Sequence, residues 1–346
     1  MKRIWKWLAI VLGAAALIVP LLFAVEGDPF PEPEQQILEV WHMDLFEGGR
    51  NSRADFLKRC AITFQRQYTG KYFLVRSVTL HEAEAKLEQG AVPDIVSLSI
   101  GGGELFEPYA RPYTGAVNVR DDLLESGKLN GSVTAVPWCL GGYILAAYEH
   151  AVAGATAEEL LKNPFDAKYQ PKKGTAACSV GMAEFNNPFA GLLAAGGGGV
   201  WQGEALTQSE AYSEFLAGKS GVLLGTQRDL YKLCNRKSMG TISPLLIRPL
   251  SGYTDLVNYL VITCQQPENT ELCERFIEAV TSDATQGKLT ELSLFAANGQ
   301  KLYSEEDYAA LEQALAGELS VPNVFLSQAE IEAERSLAIQ KLREQA

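Results

Sequence analysis

His42, His81 and His150 are the only histidines in the 346-residue chain, and they lie too far apart in sequence to form a metal-ligand pair. Neither H-E-x-x-H nor C-x-x-C occurs, so the spacing encodes no zinc motif and no dithiol redox pair. Gly101-Gly102-Gly103 follows an apolar run and invites a dinucleotide loop, but the third glycine is missing and position 106 is Phe106. Gly218-Lys219-Ser220-Gly221 is one residue short of the turn that lifts a nucleophilic serine. Forty-two acidic residues supply many carboxylate pairs and single out none for acid–base work. The chain gives no positive reason for catalysis, and no metal or cofactor is expected. The remaining chemistry is that of holding a guest. An indole can cover the apolar C–H face of a sugar ring while Asp, Asn and Arg side chains bond its hydroxyl rim, so Trp41, Trp138 and Trp201 matter.

A net charge of −12 with no long basic block excludes a nucleic-acid binder, which needs a concentrated positive face. A composition that is 47% hydrophobic and 21% charged is globular, and at roughly 100–200 residues per domain the length predicts about two domains.

Lys2, Arg3 and Lys6 precede an uncharged run from Trp7 to Val25, close to the roughly 20 residues that span a bilayer as a helix. Leu22-Phe23-Ala24 is a poor cleavage site, and the first cysteine after the run is Cys60, too late for lipidation. Residues 1–25 are expected to be an uncleaved anchor with its positive end inside, a cleaved signal peptide being the alternative. Residues 26–36, with three prolines among acids and glutamines, read as a tether. The rest would face the outside of the cell. Cys60, Cys139, Cys178, Cys234, Cys264 and Cys273 lack framework spacing and read as small buried hydrophobes, with Cys264–Cys273 a disulfide candidate.

The elements that must position any site alternate. Residues 37–41 predict a strand, 52–68 a helix closed by Gly70, 72–78 a strand, 82–89 a helix, and 94–99 a strand. That order implies an α/β parallel sheet with covering helices. A second such region starts near 143, where alanine and glycine blur the elements; 256–262 is a strand, and 269–282, 304–315 and 327–342 are helices. Ser327 and Glu330 fit a capping box. Sheet units at both ends around a different middle predict two lobes joined by crossing connections.

Four stretches taken in order carry a resemblance: IxEVWHMDxFEGGRNSRxxFL at 37–57, GAVPDIVSLSIGGG at 90–103, VPWCLGGYIL at 136–145, and GKSGVLLGTQRDL at 218–230 followed by TDLVNYLVIT at 254–263. The chain resembles the extracellular solute-binding proteins of sugar-type (family 1) ABC importers, the broad group that includes maltose-binding protein. That resemblance implies a two-lobed periplasmic-binding-protein-like fold of type II topology with hinge strands. It places lobe 1 at 37–138 and 256–300, and lobe 2 at 139–255 and 301–346. It implies a monomer that captures a small molecule, a saccharide by its aromatic usage, and delivers it to the importer's membrane subunits. Two alternatives stand beside it: a membrane-anchored ligand sensor or interaction subunit on the same fold, and an extracellular enzyme acting on glycans.

Ligands of α/β sheets sit beyond the carboxyl ends of strands and between domains. That rule selects Trp41, His42 and Asp44 after the first strand, and Ser97, Ser99, Gly101, Gly102 and Gly103 after the third. Trp138 and Tyr143 lie at the first crossing, Trp201 after the glycine run of lobe 2, and Arg228 in a turn beside Asp229. Each also has a structural reading: a core indole, a plain glycine turn, a structural histidine, an Arg228–Asp229 ion pair at a lobe edge.

Overall fold

Ser52 caps the helix Arg53–Gln67 by accepting from the backbone N–H of Asp55, and Gly70 beyond its end takes a left-handed φ of 81° that returns the chain to the sheet. The same local logic recurs as capping boxes at Thr79–Glu82, Thr156–Glu159, Thr207–Glu210 and Thr226–Asp229. Ser327 and Glu330 also exchange cap hydrogen bonds, as their spacing predicts. The computed structural model describes residues 35–152 and 154–344. The expected anchor at 1–25 and nearly all of the expected tether at 26–36 lie outside the described residues; among those described, no helix is long and apolar enough to cross a membrane.

The strands in chain order are β1 (Gln36–His42), β2 (Lys71–Ser77), β3 (Ile95–Leu98), β4 (Lys128–Leu129), β5 (Ser132–Val133), β6 (Ala135–Leu140), β7 (Tyr143–Tyr148), β8 (Ala176–Met182), β9 (Leu206–Thr207), β10 (Ser220–Thr226), β11 (Leu245–Pro249), β12 (Val257–Ile262) and β13 (Phe295–Ala296). They form a six-stranded sheet, β13-β6-β12-β3-β1-β2, a five-stranded sheet, β11-β7-β10-β8-β9, and the β4–β5 hairpin. The fold is α/β in two lobes, one on each large sheet.

Neither large sheet is purely parallel, which corrects the expectation from the strand–helix alternation. β1 pairs parallel with β2 and β3, but β12 lies antiparallel between β3 and β6. In the second sheet β10 runs parallel to β8 and antiparallel to β7. β7 and β12 are reached by chain passing between lobes, and local periodicity cannot orient them. Central strands are buried on both faces, β6, β10 and β12 throughout, so they read as unbroken apolar runs.

Three passages join the two large sheets, and residues 319–325 touch the first lobe again, Val324 N–H donating to Ser126 O at 2.9 Å, before the last helix. The chain leaves the first sheet after Leu140 through Gly141-Gly142, returns through 250–256, and leaves again after Ala296. Val136–Trp138, expected to mark the first crossing, lies inside β6 of the first sheet. The first two passages are tied together: Gly141 N–H donates to Leu256 O at 2.6 Å, and Thr254 Oγ1 donates to Gly141 O at 2.9 Å. After the third, helix Glu306–Leu315 packs on β11 and on helix Gln227–Ser238. Helix Gln328–Glu344 packs on helix Pro188–Ala194, and its Arg335 guanidinium donates to the carbonyls of Ala183 and Asn186 at 3.2 and 3.0 Å.

Candidate functional site

The carboxyl end of β1 buries Trp41, His42 and Met43 and delivers Asp44 to the gap between the two sheets. His42 is fully buried and holds two partners. Its Nδ1 lies 2.9 Å from Ser97 Oγ, and its Nε2 lies 2.9 Å from Asp44 Oδ1. Trp138 Nε1 donates to the same Ser97 Oγ at 3.3 Å. A single tautomer satisfies every atom: Trp138 donates to Ser97, Ser97 to His42 Nδ1, and His42 Nε2–H to Asp44. Burial lowers the His42 pKa; its bond to Asp44 opposes this and the Arg53 charge assists it, so the ring is neutral as that chain of donors requires.

Arg53 completes the cluster from the first residue of its helix. Its Nε donates to Asp44 Oδ1 at 2.9 Å, its Nη1 to Asn258 Oδ1 at 2.6 Å, and its Nη2 to Phe46 O. The guanidinium also lies 4.0 Å from the centre of the Phe46 ring. Burial alone would raise the Asp44 pKa, but the His42 hydrogen bond and the Arg53 charge outweigh it and hold the carboxyl well below the usual carboxylate range. Asp44 is fixed, ionised and about half exposed.

Asp44 opens onto a cavity of about 630 Å³ between the lobes. The first lobe lines it with Asp44 to Gly48 and Asn51 to Arg53; the second contributes Met182, Ala183, Glu184, Thr207, Gln208 and Ser209. The first turn of helix Gln227–Ser238 bonds to two residues of that wall, Glu47 and Ser209. Arg228, buried, is ion-paired with Glu47 of the first lobe and with Asp229 at 3.0 Å, and donates to Ser209 Oγ at 2.7 Å. Gln227 Nε2 donates to Glu47 O at 2.9 Å, adding a second tie between the lobes.

Ser97, His42 and Asp44 have the composition of a hydrolytic triad, but the array is inverted. Its hydroxyl end is fully buried and its carboxylate end faces the cavity. A nucleophile must meet its substrate. Here only the acid can, so the array serves to orient Asp44. Among the described residues no group of three His, Cys, Asp or Glu side chains could hold a metal.

The indoles correct the sequence reading. Trp41 is 1% exposed and meets Phe106 edge-on, Trp138 is 0% exposed and stacks on Phe56 at 5.8 Å, and Trp201 is 6% exposed against Phe189. All three are core, because each stands on an apolar face that the sheet and its helices must cover. Tyr143 is likewise sealed, its hydroxyl donating to Asp255 at 2.5 Å. The glycines are filled by protein rather than open to a guest. A Cβ on Gly101 would meet the Phe185 ring at 2.2 Å, one on Gly102 the Leu45 side chain at 2.9 Å, and one on Gly103 the Val324 carbonyl at 2.0 Å. Ser99 is buried with its hydroxyl unpartnered. Arg228 is committed to its ion pairs.

The site residues missed in the sequence are Glu47, Arg53, Glu184 and Gln208. Arg53 had a signal: a cation in the first turn of a helix opposes the macrodipole and needs a carboxylate nearby. Gln208 follows a helix-capping threonine and carries no signal of its own.

No protein-family model matches the sequence, and no curated protein does. Solved structures match over most of their length. The sugar-binding protein MalE of the phytopathogen Xanthomonas citri aligns with a TM-score of 0.64 at 12% identity, over 90% of this chain and 93% of its own. The GacH receptor of Streptomyces glaucescens, solved unliganded and with acarbose, aligns at 0.58 and 15% identity over 91% and 95%. The Thermus thermophilus maltotriose-binding protein, solved with maltotriose, aligns at 0.55 and 15% identity over 89% and 96%. This chain has the fold of the sugar-binding proteins. Those neighbours are binding proteins, not enzymes, and the fold expected from the sequence resemblance is the one observed.

Proposed function

We propose that this chain is an extracytoplasmic solute-binding protein that captures a small saccharide between its lobes and passes it unchanged to the membrane subunits of an ABC importer. The observation that carries the reading is the cavity shared by both lobes, on whose wall His42 and Arg53 fix Asp44. In support, solved neighbours of the same fold hold acarbose and maltotriose. The unit is a monomer of two lobes, the first built on 37–140 with 256–296 and the second on 143–249 with the two C-terminal helices, and Gly141-Gly142 and 250–256 form the hinge. A guest touching both lobes favours the closed arrangement because that arrangement binds it better. Residues 1–25 hold it at the outer face of the membrane, or release it if cleaved.

A thermal-shift screen across mono- and oligosaccharides tests this. A saturating guest at about 100-fold excess over its Kd stabilises the fold by about 2.7 kcal/mol. No response to any saccharide would overturn the reading. A second role, a membrane-anchored ligand sensor, is favoured by the basic flank and apolar run with no lipidation cysteine. Co-purification from membranes with a signalling protein instead of permease subunits would decide for it.

A further inference from the structure

The interlobe cavity is short of positive charge. Asp44, Glu47 and Glu184 line it, against one guanidinium, Arg53. That guanidinium is buried and already directed at Asp44, Asn258 and Phe46. Two further guanidiniums adjoin the wall: Arg228 is buried and holds both Glu47 and Asp229, and Arg335 is spent on the backbone carbonyls of Ala183, Glu184 and Asn186. His42 is neutral and adds none.

The carboxylates are not exhausted. All three N–H groups that reach Asp44 converge on Oδ1, from His42 Nε2 at 2.9 Å and from Arg53 Nε and Nη2 at 2.9 and 2.8 Å. Oδ2 has no partner among the described residues, and the side chain is 52% exposed. Glu184 is exposed, and its carboxylate is likewise without a partner among the described residues.

An independent feature marks the same cavity as built for a guest. Gln208 lines it at 4% exposure, yet neither its Oε1 nor its Nε2 has a hydrogen-bond partner. A buried amide with nothing bonded is costly to keep, and a hydroxyl, which both donates and accepts, satisfies it. Asn51, Ser52, Thr207 and Ser209 add more such groups to the wall. The one aromatic ring on the lining, Phe46, is covered by Arg53, so no open aromatic face awaits a neutral sugar ring.

We propose, building on the saccharide-binding reading, that the guest is a cationic saccharide: a small polyhydroxylated molecule bearing a protonated amine, its ammonium against Asp44 and its hydroxyls against Gln208. Closing the lobes on a neutral guest would desolvate the Glu184 carboxylate without a counter-charge and leave Asp44 Oδ2 without a donor. An ammonium removes that penalty, while the hydroxyls keep polyamines from being equivalent guests.

The test is calorimetric titration of the full chain, in mild detergent, with glucosamine oligomers of one to three units. The matching glucose and N-acetylglucosamine oligomers differ from them mainly in charge. The expected result is at least about tenfold tighter binding of the amine form, a preference that weakens with salt and collapses in Asp44→Asn. Because Asp44 also supports the fold, Glu184→Gln provides a second variant on an exposed side chain, and it should lower affinity for the amine form alone. Equal binding of amine and neutral forms overturns this inference and leaves saccharide capture standing. Tighter binding of putrescine or spermidine than of any sugar overturns both, as does binding of none of them.

Discussion

Glu47 of the first lobe is ion-paired with Arg228 of the second, directly beside the cavity that separates the two sheets. The pair and the Gln227 bond to the Glu47 carbonyl join the lobes beside the first crossing, where Gln227 N–H donates to Gly142 O at 2.9 Å. Arg228 is held on its other side by Asp229, so removing Glu47 frees the lobes without stranding a buried charge. Glu47→Ala should therefore enlarge the radius of gyration of the ligand-free protein in small-angle scattering. Its unfolding free energy should change by no more than about 1 kcal/mol, since Glu47 is more than half exposed. An unchanged scattering profile would show that the pair is incidental to lobe closure.

Gly101 and Phe185 test the same closure from the opposite rim. Gly101 has a φ of 92°, and a methyl group there would meet the Phe185 ring at 2.2 Å. Gly101→Ala should weaken ligand binding by forcing the lobes apart, and cost about 1–3 kcal/mol of stability. Phe185→Ala in the same chain should restore part of both, leaving the backbone strain. A strictly additive double variant would mean that the two residues do not meet in solution.

His42 gives stability an acid limit. Burial lowers its folded pKa below the ordinary 6.5, so the unfolded chain binds a proton that the folded chain refuses. Its contribution is complete above about 6.5 and is lost as pH falls below it. Asp44, with a depressed folded pKa, adds a loss in the same direction below its ordinary 3.8. His42→Phe should abolish the slope near pH 6 in urea midpoints, and lower stability at neutral pH by about 2 kcal/mol through the bonds removed from Ser97 and Asp44.

Asp255 acts in the opposite sense. It lies on the second passage between lobes, fully enclosed, accepting from Tyr143 Oη at 2.5 Å, Asn187 N at 2.5 Å and Tyr253 Oη at 3.2 Å. Burial raises its pKa to about 6, against the pull of those donors. Between 3.8 and about 6 the folded chain keeps a proton that the unfolded chain releases, so stability falls as pH rises through that window. Asp255→Asn should flatten this fall, worth up to about 3 kcal/mol. A variant profile parallel to that of the parent would show Asp255 ionised throughout.

The sequence made the local elements readable because their signals are local. Ser52, Gly70 and the Ser327–Glu330 pair mark ends within three residues of the helices they close. The direction of β12 was not readable, since it is set by where the chain returns from the other lobe. The site divided the same way. The place of Asp44 after a strand was legible and puts it on the cavity wall, and the Arg228–Asp229 ion pair was legible from their adjacency. Trp41 and Trp138 were misassigned because an indole that stacks on Phe56 or meets Phe106 looks, in one dimension, like an indole that stacks on sugar. Glu47, Glu184 and Gln208 converge only when the lobes face each other, a relation separated by more than a hundred residues of chain.

β1 begins at Gln36 in the first sheet, so residues 1–34 are continuous with that lobe alone, while both C-terminal helices ride on the other. Whatever grips the N-terminal segment therefore grips one jaw of a vice. Under the anchoring proposed for residues 1–25, the jaw bearing Gln208, Arg228 and Phe185 would do the travelling, and a device that counts closures would watch that jaw.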